Sequence, residues 1–318
     1  MLLLGADGFV GAHLHAAARE AGLRVVGATR RPGSELRFDL CDSGSVEEVV
    51  RRASPNLVVN MAGLASVAES WRRPAQTFEV NAIGVVNLLE AVAAHAPDAH
   101  VVCASSAEVY GAIGDEPMPL TEDHAIQPVN PYGASKAAME VVCGQYARSR
   151  DVGVTVVRAF NQVGPGQSPR FVASDFARQV ALAELSGPDT VELSVGNLAV
   201  TRDFVDVRDA ARAYVAVAQQ RIEGCFNLCS GRGTELKTLI DEMERATTLT
   251  ITLVPSSERT RSVDTPVMVG SPERLRDATG WVPEIPLQRT VSDLLDWWRA
   301  ELRQRGDFEA THGTEAPS

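Results

Sequence analysis

The sequence predicts an α/β protein, a doubly wound parallel sheet with a smaller, interleaved C-terminal region. Three observations lead there. Short apolar runs alternate with longer stretches of helical spacing through residues 1–160. The runs are apolar at consecutive positions, as strands covered on both faces are. A glycine-rich turn also sits where the first run meets the first helical stretch.

The first strand is "LLL", and "GADGFVG" follows it, with Gly5, Gly8 and Gly11 at G-x-x-G-x-x-G before the helix "AHLHAAAREA". Glycines at this spacing permit a tight turn, the approach of a pyrophosphate to backbone N–H groups, and close packing of helix on strand. The pattern predicts a Rossmann-type dinucleotide site. A second strand, "RVVGAT", ends in Thr29, Arg30 and Arg31. A carboxylate at that place holds a ribose 2′-hydroxyl, whereas two arginines can fork a 2′-phosphate. NADP(H) is therefore favoured, with NAD(H) as the alternative. A third short strand leads to Asp39 in "RFDLCD", within reach of an adenine.

The helix "SVEEVVRRA", the strand "NLVVNMA" and the long helix "PAQTFEVNAIGVVNLLEAVAAHA" come next. The strand "HVVCAS" then empties into "SSAEVYG", two serines, a glutamate and a tyrosine at a strand end. In "NPYGASKAAME", Asn130 is a good N-cap and Pro131 suits the first helical position. Tyr132 and Lys136 are then four apart and share a face. The lysine cation and the positive helix end are expected to lower the phenol from its usual pKa of about 10. The strand "VTVVRAF" ends this half.

Beyond residue 160 the rhythm breaks. "NQVGPGQSPR" reads as a loop, followed by a helix over about 169–186, short strands, and a helix opening at "DVRDAARAYVAVAQ". The strand "GCFNLCSG" leads to a helix capped by Thr234, and the last helix is expected to end near Gln304. The expected division is a dinucleotide-binding domain over 1–160, with returning segments near 203–228, and a second region over 161–304. Residues 305–318 lack an apolar period and are expected to be disordered.

Composition narrows the classes of function. The 318 residues are 45% hydrophobic and 22% charged, with a net charge of −11. That balance argues against nucleic acid or an anionic membrane as partner. Cys41, Cys103, Cys143, Cys225 and Cys229 show neither disulfide nor zinc spacing, and His13 and His15 face different ways on a helix. No metal site is expected. No stretch is read as a signal peptide or as the ~20 apolar residues of a membrane span. A cytoplasmic protein is expected.

From Leu2 to about Arg303 the chain resembles the extended short-chain dehydrogenase/reductase family of nucleotide-sugar enzymes. The matching landmarks are "GADGFVG", Asp39-Leu40, "NMAG", "WRRPAQTFEVNAIGVVNLLEA", "SSAEVYG", "PYGASK" and "RAFN". The resemblance implies a catalytic triad of Ser106, Tyr132 and Lys136. Ser106 would polarise a sugar carbonyl or alcohol, Tyr132 exchange its proton, and Lys136 hold the nicotinamide ribose. It implies a cofactor cradle of Gly5, Gly8, Phe9, Val10, Gly11, Asp39, Leu40 and Ala62, with Arg30, Arg31, Tyr132 and Lys136. It also implies a homodimer through a four-helix bundle. "RAFNQVGPGQ", "FVASDFARQVA", "TRDFVDVRDAARAY" and "RLRDATGWVPEI" resemble the GDP-4-keto-6-deoxy-mannose reductases that form GDP-D-rhamnose. Asn161, Arg202 and Arg261 match residues that hold the nucleotide diphosphate in those relatives.

The alternatives turn on Ser106-Ala107-Glu108. Dehydratases of the family carry Thr-Asp-Glu or Thr-Ser-Glu there, since elimination needs an acid and a base. Ala107 can be neither, and Glu108 alone keeps a GDP-mannose 4,6-dehydratase in play. A reductase needs hydride and one proton, so it is favoured. A nucleotide-sugar 4-epimerase is a third reading. An NADP-sensing binding protein is the non-enzyme reading, and the intact triad speaks against it.

Overall fold

The structure, a computed structural model, describes residues 1–312 apart from 35, 112, 114–116, 188 and 257–264, with side chains as far as residue 304. Two compact units are present. The first comprises Met1–Gln162, Asp203–Gly233 and Val267–Glu284. The second comprises Val163–Arg202, Thr234–Pro266 and Ile285–Ser318.

The first unit is built on one parallel sheet. Its strands are β1 (Leu2–Leu4), β2 (Val26–Thr29), β3 (Leu36–Arg37), β4 (Leu57–Asn60), β5 (His100–Ser106) and β6 (Val154–Ala159). After β7 (Asn161–Val163), β8 (Thr190–Val195) and β9 (Thr201–Asp206), β10 (Gly224–Leu228) completes the sheet at its edge. The order is β10-β6-β5-β4-β1-β2-β3. The direction of winding reverses between β1 and β4. In such sheets ligands bind outside the carboxyl ends of the strands at that point.

The strands are apolar throughout because both faces are covered. Leu2 and Leu4 pack into one core cluster and Leu3 into the other; Val58 and Val59, or Val101 and Val102, divide the same way. One cluster lies under helices α2 (Ser43–Ala53), α5 (Gly84–His95) and α6 (Pro131–Ser149). The other lies under α1 (Phe9–Glu20), α8 (Val207–Gln220) and α10 (Glu273–Thr279). Beyond the returning segment that the sequence suggests, Val267–Glu284 also packs here. Leu275 and Trp281 are buried in this cluster, and Trp281 Nε1 donates to the Asp209 carbonyl at 2.9 Å.

Two short helices, α3 (Val67–Arg72) and α4 (Pro74–Phe78), precede α5. The sequence reads 74–95 as one α-helix, but a π-turn over Glu79–Ile83 interrupts it. Pro74–His95 is also long and apolar enough to cross a membrane, contrary to expectation. Just over half of its most apolar window, 56%, is buried within the protein, where Val85, Leu88, Leu89 and Val92 face the sheet.

In the second unit, α7 (Val172–Ser186) and α9 (Leu236–Ala246) pack with α11 (Leu287–His312). Trp298 Nε1 donates to Ser174 Oγ at 2.9 Å, and Arg299 bonds Glu184. Strand β8 pairs in parallel with Thr250–Pro255. Two local expectations are corrected. Thr234 does not cap α9: it lies within the short strand Gly233–Glu235, and Glu235 takes the cap position without a side-chain bond. The last helix also continues past Gln304 to His312, because no proline stops it and its single glycine costs only about 1 kcal/mol. Residues 313–318, the rest of the expected tail, lie outside the described residues.

Gly11 fixes the start of α1. A Cβ there would lie 2.0 Å from the Gly5 carbonyl oxygen, a backbone atom that cannot swing aside. Gly11→Ala should cost about 1–3 kcal/mol by overpacking and lower the melting temperature by on the order of 5 °C. A thermal scan that matches the wild type would contradict this reading of the loop.

Candidate active site

The carboxyl ends of β1, β2 and β4 assemble one half of the site. Gly5, at φ +79°, donates its N–H to Ala28 O at 2.9 Å, and Gly8 N bonds Gly5 O at 3.0 Å. Gly8 is the N-cap of α1 and supplies no side-chain acceptor, so the first N–H groups of the helix are left for a ligand. Phe9 and Val10 are its first helical residues. A Cβ on Gly5 would meet Ala62 N at 2.9 Å, so the loop lies directly against the end of β4, where Asn60 Oδ1 accepts from Ala62 N. A pyrophosphate fits this bare cradle.

Arg30 and Arg31 stand exposed after β2, and each faces a carboxylate. Arg31 Nε lies 2.8 Å from Asp7 Oδ2 within the glycine loop, and Arg30 Nη1 lies 3.9 Å from Asp39 Oδ2. Asp39 also accepts from Cys41 N at 3.0 Å. Leu40 is buried in the core, and its carbonyl accepts from Asn87.

The other half is carried by β5 and α6. Asn130 caps α6 as the sequence predicts: its Oδ1 accepts from Gly133 N at 2.8 Å. Its Nδ2 donates to Glu108 Oε2, also at 2.8 Å. Glu108 N in turn donates to Ser106 Oγ at 3.2 Å. Gly133 allows the helix to start here, since a Cβ would fall 2.4 Å from Glu108 O. Ser106, Glu108 and Tyr132 are thereby brought together, and the Tyr132 phenol is hydrogen-bonded to Ser106. Lys136 Nζ donates to Ala104 O at 2.7 Å.

The electrostatics differ from the expectation. Burial pushes the Tyr132 phenol up to about 12, against the pull of the Ser106 hydrogen bond, and the Glu108 carboxylate pushes the same way. Burial lowers Lys136 to about 8. Spacing on the helix suggested that the lysine would acidify the phenol; instead its ammonium is engaged by the Ala104 carbonyl. At neutral pH Tyr132 keeps its proton.

Asn81 went unread in the sequence. The π-turn points its amide into the site, where Oδ1 accepts from Leu64 N at 2.8 Å and Nδ2 donates to Leu64 O and to Ser135 Oγ. Ser135 Oγ donates to Tyr132 O. The available signal was a polar residue on the apolar face of "FEVNAIGVV". Of the expected substrate contacts, Asn161 is exposed at the start of β7 in the first unit. Arg202 is in the second unit, where its Nη1 donates to Thr201 O. Arg261 lies outside the described residues. Among the described residues no group of acidic, histidine and cysteine side chains could hold a metal.

Residues 2–294 match the family described as GDP-mannose 4,6 dehydratase. The chain is 33% identical over 309 residues to the GDP-6-deoxy-D-mannose reductase of Pseudomonas aeruginosa, covering 96% of this chain and 98% of that one. Its fold is similar to the structure of RMD from Pseudomonas aeruginosa complexed with NADPH. The TM-score is 0.84 at 32% identity, over 94% of this chain and 99% of that one. It is also similar to the UDP-glucose 4-epimerase of Thermus thermophilus in complex with NAD. There the TM-score is 0.82 at 28% identity, over 94% of this chain and 98% of that one.

Proposed function

The chain belongs to the GDP-mannose 4,6-dehydratase family of short-chain dehydrogenase/reductase-type enzymes, and within it we propose an NAD(P)H-dependent reductase of a nucleotide-activated 4-keto-6-deoxyhexose. The first-choice reaction is GDP-4-keto-6-deoxy-D-mannose to GDP-D-rhamnose. The similarity to the Pseudomonas reductase supports the substrate, and the complex of RMD with NADPH supports the cofactor.

The observation that carries the direction of the chemistry is the buried, protonated Tyr132 bonded to Ser106. The reduced nicotinamide, when bound, supplies hydride to the sugar C4. Ser106 then polarises the C4 carbonyl, and Tyr132 donates the proton that the developing alkoxide takes up. Lys136 lies one helical turn from Tyr132 and orients the ribose of the cofactor. Gly5, Gly8, Phe9, Val10, Gly11 and Ala62 cradle the pyrophosphate side. Arg30 and Arg31 fork the 2′-phosphate, leaving Asp39 and Asp7 to do so. Asn161, Arg202 and Arg261 take the nucleotide diphosphate of the substrate. Glu108 braces the helix cap through Asn130 and is not a base for C5.

Assembly is part of the same reading. Helices α5 and α6 pack together, yet Ile83, the last residue of the π-turn before α5, and Val141 on α6 are 56% and 69% exposed. A second copy of this chain would cover them in a four-helix bundle. Light scattering at micromolar concentration should give a dimer, and Val141→Glu should shift it toward monomer; a monomeric wild type would exclude the bundle.

Tyr132→Phe should lose turnover by about 10²–10⁴-fold while NADPH still binds. Glu108→Gln keeps an acceptor for Asn130 and should cost about 1–2 kcal/mol at most. Given NADP⁺ and GDP-mannose, the wild type should release no 4-keto-6-deoxy product. Its appearance, and its loss in Glu108→Gln, would make the protein a dehydratase instead.

Cofactor choice is read separately. Alanine at both Arg30 and Arg31 should weaken NADPH by on the order of 10–100-fold, as lost charged hydrogen bonds do, and leave NADH almost untouched. Equal loss for both cofactors would assign these arginines to the surface alone.

A further inference from the structure

Beneath the Ser106–Tyr132–Lys136 group lies a second layer that the reaction does not touch. Parallel pairing of β5 with β6 sets Ser105 beside Arg158. Glu140, one helical turn past Lys136 on α6, fits against both. Ser105 Oγ donates to Glu140 Oε1 at 2.5 Å, and Arg158 Nη2 donates to Glu140 Oε2 at 2.8 Å. The arginine and glutamate side chains are 6% and 8% exposed. Arg158 is held from its far side by Tyr110 Oη and by Glu122 O, both at 3.1 Å from Nη1.

We propose that Glu140 is a positioning residue for this site: braced by Arg158, it ties the strand end that carries Ser106 to the helix that carries Tyr132 and Lys136, and it supplies the counter-charge of the Lys136 ammonium.

The groups that act on Lys136 come from two elements. Cys103 acts on it from β5, and Cys143 and Glu140 act on it from α6. Cys143 is held as a thiol by its hydrogen bond with Cys103 and by burial. Glu140 is the carboxylate of the set, and it opposes the burial that lowers Lys136 to about 8. Around Glu140 itself stand Ser105 on β5, Arg158 on β6 and Cys225 on β10. Removing the carboxylate also leaves the Arg158 cation uncompensated, which disfavours a second cation nearby. Both effects have one sign: Lys136 should lose its proton more readily.

The proposal rests on the reading of Lys136 as part of the reacting group, but its test does not need turnover. The chain holds two lysines, Lys136 and Lys237. Lysine labelled with ¹³C at Cε therefore gives two signals, and Lys237, exposed and paired with Asp241, serves as the internal reference. In the free protein, Glu140→Gln should move the Lys136 titration midpoint down by about one pH unit and leave Lys237 in place. Should that variant not fold, Glu140→Gln with Arg158→Met removes both members of the buried ion pair, and such replacements are commonly tolerated. Its midpoint should fall by less, because the cation leaves with the anion, which sits nearer on the same helix as Lys136. A Lys136 midpoint at the wild-type value in either folded variant overturns the proposal. A merely structural role would lower the melting temperature of Glu140→Gln without moving that midpoint. Failure of the reductase assay with these titrations intact would instead count against the proposed reaction alone.

Discussion

Withdrawing one ammonium group from water at the end of a parallel sheet sets the terms for the rest of this site. Lys136 is 7% exposed, and a buried ammonium must be met by acceptors or give up its proton. The Ala104 carbonyl meets it at 2.7 Å, using one of the two lone pairs a carbonyl offers. A neutral acceptor alone does not balance the charge. Glu140, one turn further along the helix, opposes the effect of burial on that lysine after Cys103 and Cys143, and is itself paired with Arg158. The chain of compensation continues outward through Tyr110, whose hydroxyl donates to Asn227 at 2.7 Å, and through Asn227 to Leu120. A connected polar layer thus spans β5, β6 and β10 beneath Lys136.

The same constraint governs how the helix meets the strand. Tyr132 can bond Ser106 only if α6 begins within backbone contact of the turn after β5. Gly133 makes that approach possible, and Asn130 fixes its angle by capping the helix with one end of its amide and holding Glu108 with the other. Asn81 completes the support from the opposite side, reaching Tyr132 O through Ser135. Its position depends on a π-turn, which rotates one residue of an apolar helix out of register and so lets an amide enter where spacing alone would put a methyl group.

Much of this was legible in the sequence. Continuous apolar runs announce strands covered on both faces, and Leu2, Leu3 and Leu4 divide between the two cores as such strands must. Asn130-Pro131 announces a helix start because cap chemistry is local, and the glycine loop is legible for the same reason. The illegible part depends on contacts between segments far apart in the chain. Glu140 looks like a solvated residue of an amphipathic helix until the sheet register sets Ser105 and Arg158 beside each other. The direction of the Tyr132 shift is likewise invisible to spacing. Two residues four apart suggest mutual influence, but burial, a property of the whole fold, sets the direction, against the Ser106 hydrogen bond. Thr234 failed as a cap because extended pairing claimed its backbone first.

The sign of that shift bears on which half of the redox chemistry this site is built for. Oxidising a sugar hydroxyl needs a base, and for a tyrosine that means phenolate; reducing a ketone needs an acid, and a neutral phenol is one. A dehydratase must do both in one turnover and also remove the C5 proton between them. Here the phenol is held in the acid form by burial and by the Glu108 carboxylate, the very group that a dehydratase would use on C5. Glu108 is turned toward Asn130 and the helix cap, while its neighbour Ala107 offers only a methyl. A neutral Tyr132 and a Glu108 engaged at the helix cap together offer one proton, which is what a reduction takes up at its end.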